Sequence, residues 1–289
     1  MKPPPFRYAA PATVAEAIGL LVDHADAEPR VLAGGQSLVP LMNFRLAQPG
    51  YLVDLRRVAG LSGIRVDGDA LLIGAMTRQA DVEDAPEVAV VVPLLAEAIG
   101  FVADRPIRNS GTIGGSIAHA DPAAELPAVA LVLDAELVAE GPAGTRRIPA
   151  AEFFRGPFTT ALGADEILTE IRLPRRDGGH AFVEFARTHG TFAVVAVAAI
   201  FGVADGRIAD ASIALAGVAP TPVRATAAEE ALVGVDLVNV DVAAAAEAAV
   251  AALHPAGDVH ASAATRTELA RVHVRRALEL ALSRAQDGR

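Results

Sequence analysis

The stretch VLAGGQSLVPLMNFRLAQP, residues 31–49, decides how the first part of the chain folds. An apolar lead-in meets the paired glycines Gly34 and Gly35, which are followed by Gln36, Ser37 and a periodic apolar segment. This order predicts a strand, a tight turn and the start of a helix, because glycine adopts positive φ and leaves neighbouring amides uncovered. Exposed N–H groups beside a helix start are suited to bind a phosphate. A single diglycine turn is more often only structural, so this stretch alone leaves both interpretations open.

A second diglycine lies in NSGTIGGSIAHADPAAELP, residues 109–127. The central residues of this second loop are Thr112, Ile113, Gly114, Gly115 and Ser116. They predict another turn of the same kind, and two such turns suit a ligand with two linked phosphates, each cradled by backbone amides. Neither the P-loop pattern G-x-x-x-x-G-K-[ST] nor the fingerprint G-x-G-x-x-G occurs in the chain. A diphosphate site without them argues against an ATPase or an ordinary Rossmann dehydrogenase.

The composition excludes several classes of protein. The chain has 289 residues, 52% of them apolar, which is ample for a packed core. Its 25 basic and 35 acidic residues give a net charge of -10, which disfavours nucleic acid as the main partner. Without cysteine, the chain cannot hold an iron–sulfur cluster through thiolates or form a disulfide. No signal peptide or membrane-spanning apolar run is evident, so we expect a soluble, cytoplasmic protein.

The pattern of the chain changes near residue 176. Before it, short strands and helices alternate; Thr13 is typical of a helix N-cap, and Asp67-Gly68 between apolar runs predicts a hairpin. The turn-rich segment PRRDGG, residues 174–179, marks the boundary. Three strand candidates in an antiparallel meander follow, at residues 181–187, 192–203 and 208–215, and then helices. The expected units are a first domain of residues 1–176, with lobes of about 1–55 and 56–176, and a C-terminal domain of residues 177–289.

Taken together, these motifs resemble the FAD-binding medium subunit of the molybdenum hydroxylases, the carbon-monoxide dehydrogenase and xanthine dehydrogenase group. The resemblance runs from end to end of the chain. It is carried by AGGQSLVPLMNFRLAQP, GTIGGSIAHADPAAELPA, FFRGPFTTAL at residues 153–162 and GVAPTPVRA at residues 217–225. It implies an α+β fold: a two-lobed FAD-binding domain of the PCMH/vanillyl-alcohol-oxidase type, then a small domain with a three-stranded antiparallel sheet and a helical bundle.

The resemblance also implies which residues contact FAD. The pyrophosphate and ribityl chain would lie against Ala33, Gly34, Gly35, Gln36 and Ser37 of the first loop and against Thr112, Ile113, Gly114, Gly115 and Ser116 of the second. Glu125 matches an acid near the flavin, Leu168 an apolar contact, and Phe192 an aromatic that shields one flavin face. The chain departs from the family pattern at Glu184, where relatives often carry lysine, and at Thr191, where they carry aspartate.

Three residues of the second loop allow more than one role. His119 could donate to a phosphate or carry a covalent flavin, although a loop histidine more often bonds to backbone or solvent. Asp121 and Glu125 could form a paired-carboxylate acid/base site, yet Asp121-Pro122 is also typical of the start of a helix, and we favour capping for Asp121. Because no spacing like H-E-x-x-H occurs, we expect no metal site in this chain.

The implied function is electron transfer within a larger complex. A small chain with [2Fe-2S] clusters would relay electrons from a large molybdopterin chain, and this chain would pass them from FAD to NAD, a quinone or oxygen. The family usually forms a dimer of heterotrimers. No catalytic side chain is expected here, because the isoalloxazine performs the redox step. Two alternatives stay open: a self-contained FAD-dependent oxidoreductase, and an assembly subunit without a cofactor.

Overall fold

The computed structural model describes residues 2–286 of the chain. The elements of its first lobe are β1 (Arg7–Ala9), α1 (Val14–Asp23), β2 (Arg30–Leu32), α2 (Leu38–Asn43) and β3 (Tyr51–Asp54). The strands form a parallel sheet in the order β1-β3-β2. Thr13 caps α1, as predicted: its side chain accepts from the Glu16 amide, and the Glu16 side chain reaches back to the Thr13 backbone.

The second lobe is built on a five-stranded antiparallel sheet. Its strands are β4 (Ile64–Asp67), β5 (Ala70–Gly74), β6 (Glu136–Gly141), β7 (Gly144–Pro149) and β10 (Ile167–Pro174), and a separate hairpin pairs β8 (Phe154–Gly156) with β9 (Thr159–Thr160). The order in the large sheet is β4-β5-β10-β6-β7. The helices are α3 (Gln79–Asp84), α4 (Pro86–Val91), α5 (Pro93–Ile99), α6 (Arg105–Arg108), α7 (Ile113–His119), α8 (Glu125–Val132) and α9 (Ala150–Phe153). The Asp67-Gly68 turn joins β4 to β5 with Gly68 at φ 61°, so the predicted hairpin is confirmed.

The C-terminal part combines an antiparallel sheet with three helices. The strands are β11 (Gly179–Phe185), β12 (Val195–Ala204), β13 (Arg207–Ala216) and β14 (Val223–Arg224), paired in that order. The helices are α10 (Thr226–Leu232), α11 (Val242–Val250) and α12 (Ala263–Gln286). The predicted three-strand meander is present, and the two-residue β14 extends it by one strand, because the chain pairs again with β13 at Ala214 and Leu215.

The C-terminal sheet is buried on both faces, which explains why β12 has the almost uninterrupted apolar sequence VAVAAIFGVA. On one face, Ala196, Ala198 and Ile200 join the core of the second lobe, together with Phe182 of β11. On the other face, alternate residues pack against α10, α11 and α12. Within residues 2–286, no helix combines the length and apolar character needed to cross a bilayer.

Two local expectations are wrong. The sequence predicts a turn at the second diglycine, but Gly114 and Gly115 lie inside the first turn of α7, because the Thr112 side chain caps that helix by accepting from the Gly115 amide. The apolar pattern around Phe192 favours a buried strand, but β12 begins only at Val195 and the Phe192 side chain is 61% exposed.

Candidate cofactor site

The first diglycine loop connects β2 to α2 and presents free backbone donors. Gly35 has φ 72°, the left-handed conformation expected of a turn with adjacent glycines. Within the described part of the chain, the backbone amides of residues 34–37 have no acceptor, and the first helical bond runs from the Val39 amide to the Gly35 carbonyl at 3.0 Å. The Gln36 side chain folds back onto the Gly34 carbonyl at 3.1 Å. The loop therefore offers a row of N–H groups to an anion.

The second loop uses its amides internally, so the expectation that both loops present free amides is wrong for this one. The Ile113 amide donates to the Thr77 carbonyl at 3.0 Å, and the Gly114 amide donates to the Ala75 carbonyl at 2.9 Å. The Gly115 amide is taken by the Thr112 side chain at 3.0 Å. Gly114 is buried, so what remains for a ligand is the half-buried surface of Gly115 and Ser116.

Close packing explains one glycine of each pair, Gly34 and Gly114. A Cβ on Gly114 would lie 2.4 Å from the Cβ of Ala75, and a Cβ on Gly34 would lie 2.3 Å from the carbonyl oxygen of Ser110. These distances leave no room for a side chain, because ordinary contacts begin near 3.4 Å. Gly34 therefore lies directly against the segment that leads into the second loop. Residues about eighty positions apart in sequence form one continuous cradle, which only the tertiary structure reveals.

Glu125 is a buried acid at the start of α8, with 4% of its surface exposed. Burial, together with the charges of Glu184 and Asp121, raises its pKa to about 8. Glu184 lies on β11 opposite Ala196, on the face of the sheet that packs against the second lobe. Burial raises the pKa of Glu184 to about 7, and its Oε2 atom has no hydrogen-bond partner within residues 2–286. The Glu184 charge thus acts on Glu125 where the C-terminal sheet covers α8.

The remaining predicted residues lie in different surroundings. Leu168 is 5% exposed on β10, within the core of the second lobe, where β10 has an irregularity between Leu168 and Glu170. Phe192 is exposed and follows a turn in which the Thr191 amide and hydroxyl both donate to the Thr188 carbonyl. That turn lies against the second lobe, since a Cβ on Gly190 would come within 2.7 Å of the Asp104 carboxylate.

His119 and Asp121 have structural contacts. The His119 ring packs against Phe158 with 5.1 Å between ring centroids, and burial lowers its pKa although the nearby Asp121 charge opposes the shift. Asp121 accepts from the Ala123 amide at 2.9 Å and so stabilises the turn before α8, whose N-cap is Ala124. Asp121 therefore caps the turn that precedes α8 and not the helix itself.

Sequence reasoning missed the residues that fix the cradle from outside, namely Ala75, Thr77 and Ser110. Their signals are weak, because each contributes a backbone carbonyl that any residue type possesses. A shallow surface depression of about 410 Å³ lies elsewhere, against α1, and includes Gly19 and Leu20 in its lining. None of the residues lining it belongs to either diglycine loop. The loops are the better candidate site, because the free amides of the first loop supply specific donors.

The residues of the cradle fit FAD. Free amides at residues 34–37 match the charge of a diphosphate, and the Ser37 and Ser116 hydroxyls, which have no partner within residues 2–286, can bond to further polar groups. The glycine surfaces allow close approach of the dinucleotide backbone.

Two family models cover nearly all of the chain. The FAD binding domain in molybdopterin dehydrogenase matches residues 4–176, and the CO dehydrogenase flavoprotein C-terminal domain matches residues 180–281. The resemblance inferred from the motifs is therefore confirmed.

Relatives of similar length extend this result. The chain is 42% identical to the 6-hydroxypseudooxynicotine dehydrogenase complex subunit alpha of Paenarthrobacter nicotinovorans, over 99% of this chain and 97% of the relative. It is 40% identical to the carbon monoxide dehydrogenase medium chain of Hydrogenophaga pseudoflava, over 98% and 99%. A solved carbon monoxide dehydrogenase from Hydrogenophaga pseudoflava, which lacks the Mo-pyranopterin moiety of its cofactor, superposes with a TM-score of 0.95 at 42% identity, covering 99% of this chain and 100% of that chain.

Proposed function

Because the chain belongs to the family of FAD-binding subunits of the molybdenum hydroxylases, we propose that it receives electrons from an iron–sulfur chain and delivers them to NAD, a quinone or oxygen. The observation that carries this proposal is the contact between the two diglycine loops, which builds one continuous cradle with free amides on its first loop. The zero cysteine count supports it, because clusters held by thiolates must then belong to another chain.

In this proposal the cofactor is held by the residues predicted from the sequence. The open amides from Gly34 to Ser37 hold the diphosphate, and Ala33 forms the edge that faces Gly115. The second loop contributes a closely packed floor, which consists of Thr112, Ile113, Gly114, Gly115 and the hydroxyl of Ser116. When bound, FAD supplies the redox chemistry and accepts or releases one or two electrons.

The other predicted residues act around the ring system in the same proposal. Glu125 and Glu184 have raised pKa values, so at neutral pH this pair of carboxyl groups holds a proton next to the cradle. Leu168 supplies an apolar contact, and the exposed Phe192 side chain is free to cover one face of the flavin. Glu184, at a position where relatives often carry lysine, would give the surroundings of a bound flavin a less positive charge.

The proposal assigns two kinds of partner chain, an iron–sulfur small subunit and a molybdopterin large subunit, in a dimer of heterotrimers in the cytoplasm. Support comes from the relatives, whose names describe a medium chain or a subunit of a complex. The same proposal divides the chain after residue 176, between the two matched ranges.

Purification of the chain alone tests the proposal. We expect a yellow protein with one FAD per chain, reduction of artificial dyes by NADH or a chemical donor, and no turnover of an organic substrate. Turnover by the isolated chain would instead identify a self-contained oxidoreductase, and a colourless chain that still assembles would identify an assembly subunit. Co-expression with the neighbouring reading frames, followed by metal analysis of the purified complex, tests the partner chains.

A further inference from the structure

Arg266 is a buried arginine near the start of α12, with 7% of its surface exposed. Its Nη1 donates to the carbonyl oxygens of Val194 at 2.6 Å and Gly217 at 2.7 Å, and its Nη2 donates to the Asp258 carboxylate at 2.6 Å. This pairing, with two backbone amides, lowers the pKa of Asp258 to about 2. The Arg266 Nε atom has no partner within residues 2–286, but the three bonds made by Nη1 and Nη2 fix the side chain in one place.

One of the two carbonyls belongs to the segment that carries Phe192. Val194 is two residues after Phe192, and its amide donates to the Phe185 carbonyl at 2.7 Å. The Val194 amide is therefore bonded to β11, and the Val194 carbonyl is bonded to Arg266 of α12. The exposed Phe192 side chain has no comparable packing of its own, so its position is set by the backbone on either side.

The other carbonyl belongs to the segment that reaches the start of α8. Gly217 has φ 78°, and its amide donates to the Pro122 carbonyl at 2.8 Å, three residues before Glu125. A Cβ on Gly217 would lie 2.4 Å from the Val194 carbonyl oxygen, so these two segments are in direct contact. Arg266 thus joins two segments of the C-terminal part that contact the second lobe, one at Pro122 and the other, through Gly190, at Asp104.

We propose that Arg266 is a positioning residue of the cofactor site: by holding the Val194 and Gly217 carbonyls together, it sets where Phe192 and Glu125 lie relative to the diglycine loops. This inference rests on the proposed function, which places both residues beside the flavin. Lysine is a poor substitute, because a single ammonium group cannot reproduce the planar fork that reaches two carbonyls and a carboxylate at once.

The test compares Arg266→Lys with two control variants of α12. Arg275→Lys changes an exposed arginine paired only with Glu279 within residues 2–286, and Leu278→Ala weakens the packing of the same helix without touching either carbonyl. The first readout uses the FAD-free chain: the rate of tryptic cleavage after Arg187, an exposed residue in the segment before Phe192, followed by mass spectrometry. The second readout is the fluorescence and visible circular dichroism of added FAD, with its dissociation constant.

We expect Arg266→Lys to raise the cleavage rate after Arg187 and to weaken FAD binding by about tenfold, as expected for one lost charge-assisted bond. We also expect the fluorescence of bound FAD to rise in this variant, because Phe192 no longer lies against the isoalloxazine ring. Both controls keep the wild-type flavin spectrum when compared at equal folded fraction. The inference is overturned if folded Arg266→Lys matches wild type in both readouts, or if Leu278→Ala produces the same spectral change.

The proposed function fails differently, since in that case the wild-type chain itself binds no FAD. Should Arg266→Lys not fold, Asp258→Asn removes the carboxylate charge that orients the guanidinium, so both carbonyl bonds are weakened. We then expect the same two changes at smaller amplitude, and a wild-type cleavage rate and spectrum in Asp258→Asn would overturn the inference.

Discussion

Gly34→Ala should separate the two diglycine loops. The new Cβ would be built 2.3 Å from the Ser110 carbonyl oxygen and 2.8 Å from the Gly111 Cα, whereas ordinary contacts begin near 3.4 Å. Both of these are backbone atoms, which cannot rotate away as a side chain could, so the loops must move apart by roughly 1 Å. Gly34 does not have positive φ, and the cost is therefore steric and not conformational.

Overpacking of this kind costs about 1–3 kcal/mol of folding free energy. The effect on FAD should be larger than the effect on stability, because a displacement of roughly 1 Å in a binding site can cost about a hundredfold. We expect FAD affinity to fall by about tenfold to a hundredfold. Urea denaturation of the FAD-free chain measures the free energy of unfolding, and fluorescence titration with FAD measures the dissociation constant of FAD.

Gly19→Ala is the matched control. Gly19 lies in the middle of α1, without positive φ, and a Cβ added there would meet no heavy atom within 4 Å. Alanine there should stabilise the chain by about 0.5–1 kcal/mol and leave FAD binding unchanged. If Gly34→Ala binds FAD as tightly as wild type and is equally stable, the two loops do not form a single cradle and the reasoning is refuted.

Three further predictions concern charge and exposure. The pKa of Glu125 is about 8 in the folded chain and 4.5 in the unfolded chain, so between these pH values only the folded chain holds the proton, and the free energy of unfolding falls as pH rises. Glu125→Gln should reduce this fall, measured by urea denaturation at pH 5 and pH 9. The loss of stability caused by the raised pKa of Glu184 should remain. Arg224→Ala leaves the buried Glu229 carboxylate without its positively charged partner, with only the Ile213 amide still donating to it, and should cost about 3–5 kcal/mol in the same assay. Arg275→Ala, which breaks an exposed ion pair, should change nothing measurable. Phe192→Ala should leave the unfolding midpoint unchanged, because the side chain is 61% exposed, but raise the fluorescence of bound FAD; an unchanged fluorescence would remove Phe192 from the flavin.

Much of the fold could be predicted from local patterns. Thr13 with Glu16, and Asp67-Gly68 between apolar runs, specify a helix start and a hairpin through contacts within a few residues. The two-residue strand β14 escapes prediction because so short a segment carries no periodicity, and its pairing depends on where β13 lies. Gly114 is wrongly predicted in a turn because glycine is more typical of turns than of helices; here it is required by the nearness of Ala75.

The sequence by itself determined the family, the α+β fold and the two diglycine segments as the candidate FAD site, because these depend on residue types and their order. Only the tertiary structure decided which amides are free: those of residues 34–37 are open, while those of residues 113–116 are bonded within the chain. It alone brought Glu184 near enough for its charge to raise the pKa of Glu125, and Arg266 into hydrogen-bond contact with Val194 and Gly217. The physical reason is that hydrogen-bond partners and desolvation depend on distances between segments far apart in sequence, which no local pattern encodes.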